Sequence, residues 1–409
     1  MRLISKIIIG VVFVFSGIVK GIDPLGSAYK FNDYFLAFGT EWLSFISLGI
    51  SIVLSTAEFL IGMALLLGLR LRLTAWALLL FMGFFTLLTF YSAIFDPVTD
   101  CGCFGDAVVL SNWATFYKNL IFLALSIIIF TGRKNYPILY PGKYSEWAII
   151  LIIFLGFFSM SIYSKNHLPL IDFRPYHVGS NLPEKMEIPE GEPMDEYETY
   201  LYYERDGETK EFTSDDYPWQ DTTWKWVETK QVLVKEGYKP PIHDFVITDD
   251  EGFDITDQIL DSRETVFMMI SYDLKKANFD GLEKIRDLAT LFKQKGYTFY
   301  PVTASTNEVI INVKERIKLT IPFYFGDEIM LKTVVRANPG LVAIKNGTVI
   351  GKWHFSDIPP KDDFEKDIFS TIIGYNHQQK DQVMVTAFIL GIFLFIALVR
   401  LTRFKWLIK

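Results

Sequence analysis

Six long apolar stretches constrain the fold of this chain more than any other feature. Each is long and apolar enough to be a transmembrane helix, for which about 20 residues cross a hydrocarbon core of roughly 30 Å. Half of the 409 residues are hydrophobic, more than one soluble core needs. We therefore predict a polytopic protein embedded in a lipid bilayer. The predicted spans are 4–19, 42–69, 71–95, 116–131, 147–163 and 383–399.

The basic residues at the span ends predict the orientation, because Lys and Arg near a span are retained on the cytoplasmic side. With the N-terminus inside, the cytoplasmic segments hold 11 cations against one acid, Glu146, a charge of +10. Since the formal net charge is −7, the remainder carries −17. We predict a bacterial inner-membrane protein with both termini cytoplasmic and a large periplasmic domain. The 11 cations are Arg2, Lys6, Arg70, Arg72, Arg133, Lys134, Lys143, Arg400, Arg403, Lys405 and Lys409.

Composition divides the chain into five predicted segments. The region between the fifth and sixth spans is charged and rich in Tyr, and it is large enough for a complete domain with a small β subdomain. Runs rich in Tyr, Thr, Trp and Val predict strands at 198–204 and 225–234. The segments are a four-helix membrane domain (1–135), a fifth span (136–163), a connector with the β subdomain (164–243), an α/β domain (244–380), and a sixth span with a basic tail (381–409).

The α/β domain resembles thioredoxin in the order of its predicted elements. Asn338-Pro339-Gly340 resembles the family's turn before the third strand, which puts Pro339 at the position of its cis-proline. The departure follows the first strand, where the family carries Cys-x-x-Cys and this chain has no cysteine between positions 272 and 278. A domain without cysteine cannot exchange disulfides. The elements are a strand at 265–271, a helix at 279–295, a strand at 297–302, a helix at 307–314, a hairpin around Asn346-Gly347 and a final helix.

The only two cysteines, Cys101 and Cys103, are separated by one glycine between the third and fourth spans. Two thiols at this spacing can close only a small, strained ring, and strain makes a disulfide easier to reduce. Gly102 supplies the backbone freedom that such a ring needs. The predicted orientation places the pair in an oxidising compartment. Asp100 and Asp106 argue against reactivity, because nearby carboxylates raise the pKa of a thiol.

Two other interpretations of the cysteine pair remain open. The pair could pin the loop, either as a permanent disulfide or as buried thiols. It could also serve metal or lipid contact. Tetrahedral zinc needs further ligands, however, and none of the five histidines lies near this loop in sequence, so we predict no metal site.

Glu58 is an acid inside the second span, where a carboxylate is costly and faces a cavity or a partner. Lys20, near the outer end of the first span, is the partner that the sequence offers. We predict that Glu58 lines the interior of the helix bundle. A structural ion pair that fixes helix packing is the alternative to a functional role.

The first third of the chain resembles the DoxX-like membrane proteins and especially the methylamine-utilisation MauE family. The resemblance implies a four-helix membrane bundle linked to disulfide formation or to maturation of exported proteins. It also implies kinship with thiol oxidases that use quinone, which makes quinone the cofactor to consider. The residues that carry it are Phe15-Ser16-Gly17, Lys20, Glu58, Gly62, Gly68, Asp100-Cys101-Gly102-Cys103-Phe104-Gly105-Asp106 and Lys118-Asn119.

Two functional hypotheses follow. The first is a membrane thiol–disulfide oxidoreductase in which Cys101 and Cys103 exchange and the α/β domain recognises a periplasmic or exported protein. The second is a non-catalytic assembly or scaffold protein of the cell envelope that binds an exported partner. The missing Cys-x-x-Cys and the aromatic-rich segment 197–226 favour the second. No basic tract suggests nucleic acid, and no inverted repeat suggests a transporter.

Overall fold

The computed structural model describes residues 2–98, 100–136 and 145–374, together with positions 387, 391 and 394. Five helical segments in these ranges are long and apolar enough to cross a membrane, at the positions of the first five predicted spans. The predicted sixth span, 383–399, and the basic tail lie outside the described ranges apart from three of those positions. The five segments are Arg2–Ile22, Glu41–Leu67, Leu71–Phe95, Asn112–Thr131 and Ser145–Asn166.

The membrane region contains one further helix that is too short and too polar to be a span. It begins at Pro24, and the Asp23 side chain caps it by accepting a hydrogen bond from the Gly26 amide at 2.8 Å. This helix occupies the segment between the first two predicted spans. In chain order the helices are α1 (Arg2–Ile22), α2 (Pro24–Ala37), α3 (Ser47–Leu67), α4 (Leu71–Phe95), α5 (Asn112–Thr131) and α6 (Ser145–Asn166).

Glycines let α1 and α3 approach each other at backbone distance. A Cβ atom added at Gly62 would lie 2.7 Å from the backbone nitrogen of Val14. One added at Gly17 would lie 2.9 Å from the backbone of Phe59. Small residues at a helix crossing allow this approach, which supplies van der Waals contact where lipid provides no hydrophobic drive. The crossing sets the spacing between Lys20 on α1 and Glu58 on α3.

We expect Gly62→Val to lower the free energy of unfolding by about 2 kcal/mol, because the added carbons must push α1 away from α3. Thermal unfolding in detergent, compared with the parent chain, measures the effect. Gly83→Val is the matched control, since a Cβ at Gly83 in α4 would meet nothing within 4 Å. Equal stability of the two variants would show that the crossing is not tightly packed.

The rest of the described chain forms an α/β region with two sheets. An antiparallel sheet has the strand order β2-β1-β3, and a mixed sheet has the order β6-β5-β4-β7-β8, in which β4, β5 and β6 are parallel. The strands are β1 (Glu196–Arg205), β2 (Glu208–Thr213), β3 (Lys225–Lys235), β4 (Val266–Ser271), β5 (Thr298–Thr303), β6 (Tyr324–Phe325), β7 (Gly340–Lys345) and β8 (Thr348–His354). The helices are α7 (Leu182–Met186), α8 (Thr256–Leu260), α9 (Phe279–Gln294), α10 (Asn307–Ile317), α11 (Glu328–Val334), α12 (Lys361–Lys366) and α13 (Ile368–Gly374).

Strand β4 is the centre of the mixed sheet, and all six of its residues are buried. A strand that is covered on both faces has a continuous run of apolar residues in its sequence, as β4 does. Its two faces contribute to different cores: Phe267 packs with α9, whereas Met268 packs with α8 and α11. The β7–β8 hairpin turns at Asn346 and Gly347, both of which have positive φ. Strands β4, β5, β7 and β8 and helices α9 and α10 lie within a few residues of the predicted elements, whereas β6, α8 and α11 were not predicted.

The connector after α6 is held on the α/β region by buried charges. Asp172 accepts hydrogen bonds from Arg174 Nε and Lys352 Nζ, each at 2.7 Å. Burial raises the pKa of Asp172, but the two cations outweigh it and hold that pKa below its ordinary value. Burial lowers the pKa of Lys352 to about 8. His167 Nδ1 lies 2.6 Å from Asp357 Oδ1, so the connector is anchored to the α/β region directly after α6.

Candidate functional site

A cavity among the membrane helices brings together most of the residues that the sequence singles out. Cys101, Gly102, Cys103 and Phe104 form part of its wall, together with Lys20 and Glu58. Its volume is about 80 Å³, several times what one water needs. Residues far apart in sequence therefore meet at one site. In the described part of the chain, no group of three or more His, Cys, Asp or Glu side chains is placed to hold a metal ion.

Cys101 and Cys103 are joined by a disulfide, with their Cα atoms 5.5 Å apart. Gly102 between them has a φ of +63°, a conformation that L-residues with side chains rarely adopt. Its amide donates a hydrogen bond to Asp100 Oδ1 at 2.9 Å. The Ser16 hydroxyl on α1 donates to the Cys103 carbonyl at 2.7 Å. The loop is therefore fixed against α1 with its disulfide facing the cavity.

Two lysines at the cavity are paired with carboxylates. Lys20 Nζ lies 2.5 Å from Glu58 Oε2, and Glu58 is only 6% exposed. Lys30 Nζ on α2 lies 2.6 Å from Asp100 Oδ2. The stem of Lys30 also covers Gly102, where an added Cβ would come within 3.0 Å of Lys30 Cγ. Sequence reasoning missed Lys30. The available signal was that Lys30 lies in the polar segment between the first two spans, on the side of the membrane predicted for the cysteine loop.

Aromatic side chains form the deeper wall of the cavity. Phe81 and Phe85 on α4 and Phe122 on α5 line it together with Asn119, whose amide donates to the Thr89 hydroxyl at 3.2 Å. Phe122 is ten residues into α5, so it lies about 15 Å along the helix from the end nearest the cysteine loop. The cavity thus extends from a charged, sulfur-bearing rim to an apolar interior.

The buried ion pair at the cavity makes a testable contribution to stability. We expect Glu58→Leu to destabilise the chain by about 3 kcal/mol, because it leaves the Lys20 ammonium buried and uncompensated. In Lys20→Met/Glu58→Leu both charges are gone, and most of the loss should be recovered. A double-mutant cycle of thermal unfolding in detergent measures the coupling. Purely additive effects would contradict the pairing.

Asp106 lies outside the cavity and joins the cysteine loop to the α/β region. Arg336 Nη2 donates to Asp106 Oδ2 at 2.7 Å, and Arg336 Nε donates to Asp23 Oδ2 at 2.9 Å. Arg336 is 5% exposed. Burial works to lower the pKa of Arg336, but the two carboxylates raise it above its ordinary value, so the guanidinium stays charged. Gly105, at the same corner, has a φ of +52°.

Pro339 follows a cis peptide bond, as the resemblance to thioredoxin implies, and it lies away from the cavity. The Asn338 side chain ties this turn to the loop after β4 by donating to the Asp273 carbonyl at 2.7 Å. Tyr272 in that loop makes an edge contact with Tyr29 of α2, with ring centres 6.1 Å apart. Burial raises the pKa of Tyr29. The loop after β4 is therefore packed on the membrane region.

The arrangement is that of a multi-pass membrane protein whose helices form a cavity with a disulfide in its wall and whose α/β region contacts the disulfide loop. Residues 1–132 match the family described as methylamine utilisation protein MauE. This match covers about a third of the chain and supports the resemblance for the membrane region. Residues 197–236, which span the three-stranded sheet, match a domain of unknown function, DUF8463.

Comparison with other proteins adds little to the family match. No curated protein matches the chain. The "Solution structure of a putative protein disulfide isomerase from Bacteroides thetaiotaomicron" is 15% identical, with 34% of this chain and 86% of that chain covered and a TM-score of 0.25. The "Crystal structure of uncharacterized conserved protein from Geobacillus kaustophilus" is 12% identical, with 32% and 80% covered and the same TM-score. At that TM-score neither likeness carries an argument about this chain.

Proposed function

We propose that this chain is a thiol–disulfide oxidoreductase of the bacterial inner membrane that acts in the maturation of exported proteins. The observation that carries the proposal is the position of the Cys101–Cys103 disulfide in the wall of a cavity enclosed by membrane helices. A disulfide that only pinned a loop would have no need of a polar and aromatic cavity beside it.

The chemistry is thiol–disulfide exchange. A substrate thiolate attacks one sulfur of the pair, a mixed disulfide forms, and the other cysteine leaves as a thiolate. A second thiolate of the substrate then attacks the substrate sulfur of the mixed disulfide and releases the bound cysteine as a thiolate. The substrate gains a disulfide, and Cys101 and Cys103 together take up two electrons and, from solvent, two protons.

The carboxylates beside the cysteines do not oppose this chemistry as the sequence alone suggests. Asp100 is paired with Lys30, and Asp106 is paired with Arg336. A carboxylate that is neutralised by a cation raises the pKa of a nearby thiol much less than a free one. The two paired carboxylates therefore oppose thiolate formation less than free carboxylates would.

We propose quinone as the electron acceptor, and the lining of the cavity supports this choice. Phe81, Phe85 and Phe122 would hold a planar ring in the apolar interior, and the Asn119 amide would supply a polar contact. When bound, a quinone accepts two electrons and two protons. The reduced cysteine pair must lose the same two electrons and two protons to re-form its disulfide. The chain's own residues position the dithiol: Asp100 accepts from the Gly102 amide, and Ser16 donates to the Cys103 carbonyl.

Anaerobic reoxidation of the reduced protein tests the proposal. The full chain in lipid nanodiscs is reduced, freed of reductant and mixed with a short-chain quinone while thiols and quinol are counted. We expect one quinol for each pair of thiols lost. If a reduced peptide is oxidised but quinone is not reduced, the acceptor is wrong; if the pair exchanges with no thiol, the function is wrong.

We further propose that the α/β region is a thioredoxin-like recognition domain in the periplasm. Its strand order and cis-proline support the fold, and the ion pair between Arg336 and Asp106 supports a position on the same side as the cysteine loop. The distribution of cations at the span ends supports the periplasm as that side. The face of this domain beside Pro339 contacts α2, so a protein substrate is bound by its other surfaces.

A scaffold protein that binds an exported partner is the second candidate, and the three-stranded sheet favours it. Every residue of β3 is exposed, and Trp219 and Trp226 are 70% and 59% exposed. Exposed aromatic residues are enriched at protein interfaces. A stoichiometric partner that remains bound to the Cys101→Ser/Cys103→Ser chain would favour this candidate.

A further inference from the structure

Lys118 on α5 differs from the other two lysines of the cavity in its surroundings. Lys20 and Lys30 each form an ion pair, whereas no carboxylate oxygen in the described ranges lies within 4.0 Å of Lys118 Nζ. Among the residues that line the cavity, three ammonium groups face one carboxylate, that of Glu58, and Asp100 at the rim pairs with Lys30. Asp33 on α2 does not line the cavity and lies between Lys30 and Lys332, so it is left out of this charge count. The cavity with its rim carries one excess positive charge when all five groups are ionised.

The neighbour of Lys118 is an aromatic ring that belongs to the cysteine loop. Lys118 Nζ lies 4.2 Å from the centre of the Phe104 ring, and Phe104 directly follows Cys103. A cation–π contact compensates only part of the free energy that removing an ammonium group from water costs. The excess charge is thus only partly compensated, and it lies in the same cavity as both sulfurs.

We propose that Lys118 stabilises the thiolate that is released when the Cys101–Cys103 bond opens; this inference rests on the proposed function. When an incoming thiolate bonds to one sulfur, the S–S electron pair leaves on the other sulfur, and a negative charge appears in the cavity. The site then passes from one excess positive charge to neutrality, while Lys118 keeps its proton. Stabilising the reduced form makes the pair a stronger oxidant.

Equilibrium with glutathione and the pH dependence of alkylation test Lys118. For Lys118→Met in nanodiscs we expect the reduction equilibrium to shift about tenfold toward the disulfide, a potential lower by about 30 mV. The pH midpoint for iodoacetamide alkylation of the reduced pair should rise by about one unit. Lys118→Arg, which keeps the charge, should stay within twofold of the parent in both measurements.

Lys6→Met is the matched control, because Lys6 also lies over a ring, that of Tyr136, but about 20 Å along α1 from Lys20. It should change neither quantity. Lys118→Gln gives the same readouts if the methionine variant fails to fold. Parent-like values for Lys118→Met or Lys118→Gln overturn the role of Lys118 alone, whereas a parent chain that does not exchange with glutathione overturns the proposed function.

Discussion

We expect that replacing either Cys101 or Cys103 by serine abolishes thiol oxidation and leaves the chain folded and inserted. Exchange requires both sulfurs, because one is attacked and the other must leave. We expect the rate of substrate oxidation to fall at least about 1,000-fold in each single variant, to the rate of oxidation in the absence of the protein. Oxidation of a reduced peptide by protein in nanodiscs, with quinone present, measures the loss.

The same variants separate a redox role from a structural one. A disulfide across three residues restricts the unfolded chain so little that the loop-entropy model gives it roughly 1.6 kcal/mol of stability. The serine variants should therefore unfold only slightly below the parent. Since the sequence has two cysteines, each single variant has one thiol, which should trap a mixed disulfide with a substrate. Parent-like oxidation by either variant would refute exchange at this pair.

Replacing Arg336 by leucine separates the α/β region from the cysteine loop. The variant leaves Asp23 and Asp106 without their shared cation in a largely buried contact, which we expect to cost about 4 kcal/mol. Asp106 then becomes a free carboxylate near the cysteines. We therefore expect a lower thermal midpoint, faster proteolysis between the regions, and slower thiol exchange.

Arg205→Leu is the control for this experiment. Arg205 also carries two ion-pair contacts, to Asp206 and Asp221, but at 4.0 and 3.9 Å and with half of its side chain exposed. Pairs of this kind contribute about 0–1 kcal/mol. If Arg336→Leu is no more destabilising than Arg205→Leu, the ion pairs do not hold the two regions together.

The sequence predicts the elements of this protein well where burial leaves a periodic pattern. Apolar length places five helices, and the run at Val266–Ser271 predicts the central strand. The string around Cys101 identifies the loop because two cysteines at this spacing are rare and belong to a family pattern. Strand β2, Glu208–Thr213, was missed because three of its six residues are charged, so it lacks the run of Tyr, Trp, Thr and Val that marks β1 and β3. Strand β6, Tyr324–Phe325, was missed because two residues carry no periodic pattern.

The contacts that complete the site could not be predicted, because they join residues far apart in sequence. Lys30 meets Asp100 across 70 positions and Arg336 meets Asp106 across 230. Neither pair belongs to one helix or strand, so no local period indicates it. The pairing of Lys20 with Glu58 was an exception, since a buried carboxylate inside a span needs a partner and few cations were available.

The redox state of Cys101 and Cys103 in membranes tests the central claim most directly. Differential alkylation and mass spectrometry would compare cells that contain quinone with cells depleted of it, while exported proteins are being made. The account predicts a mostly oxidised pair when quinone is present and an accumulating dithiol when quinone is removed. A disulfide that stays fully oxidised in both conditions would contradict the account and would identify the pair as a structural link.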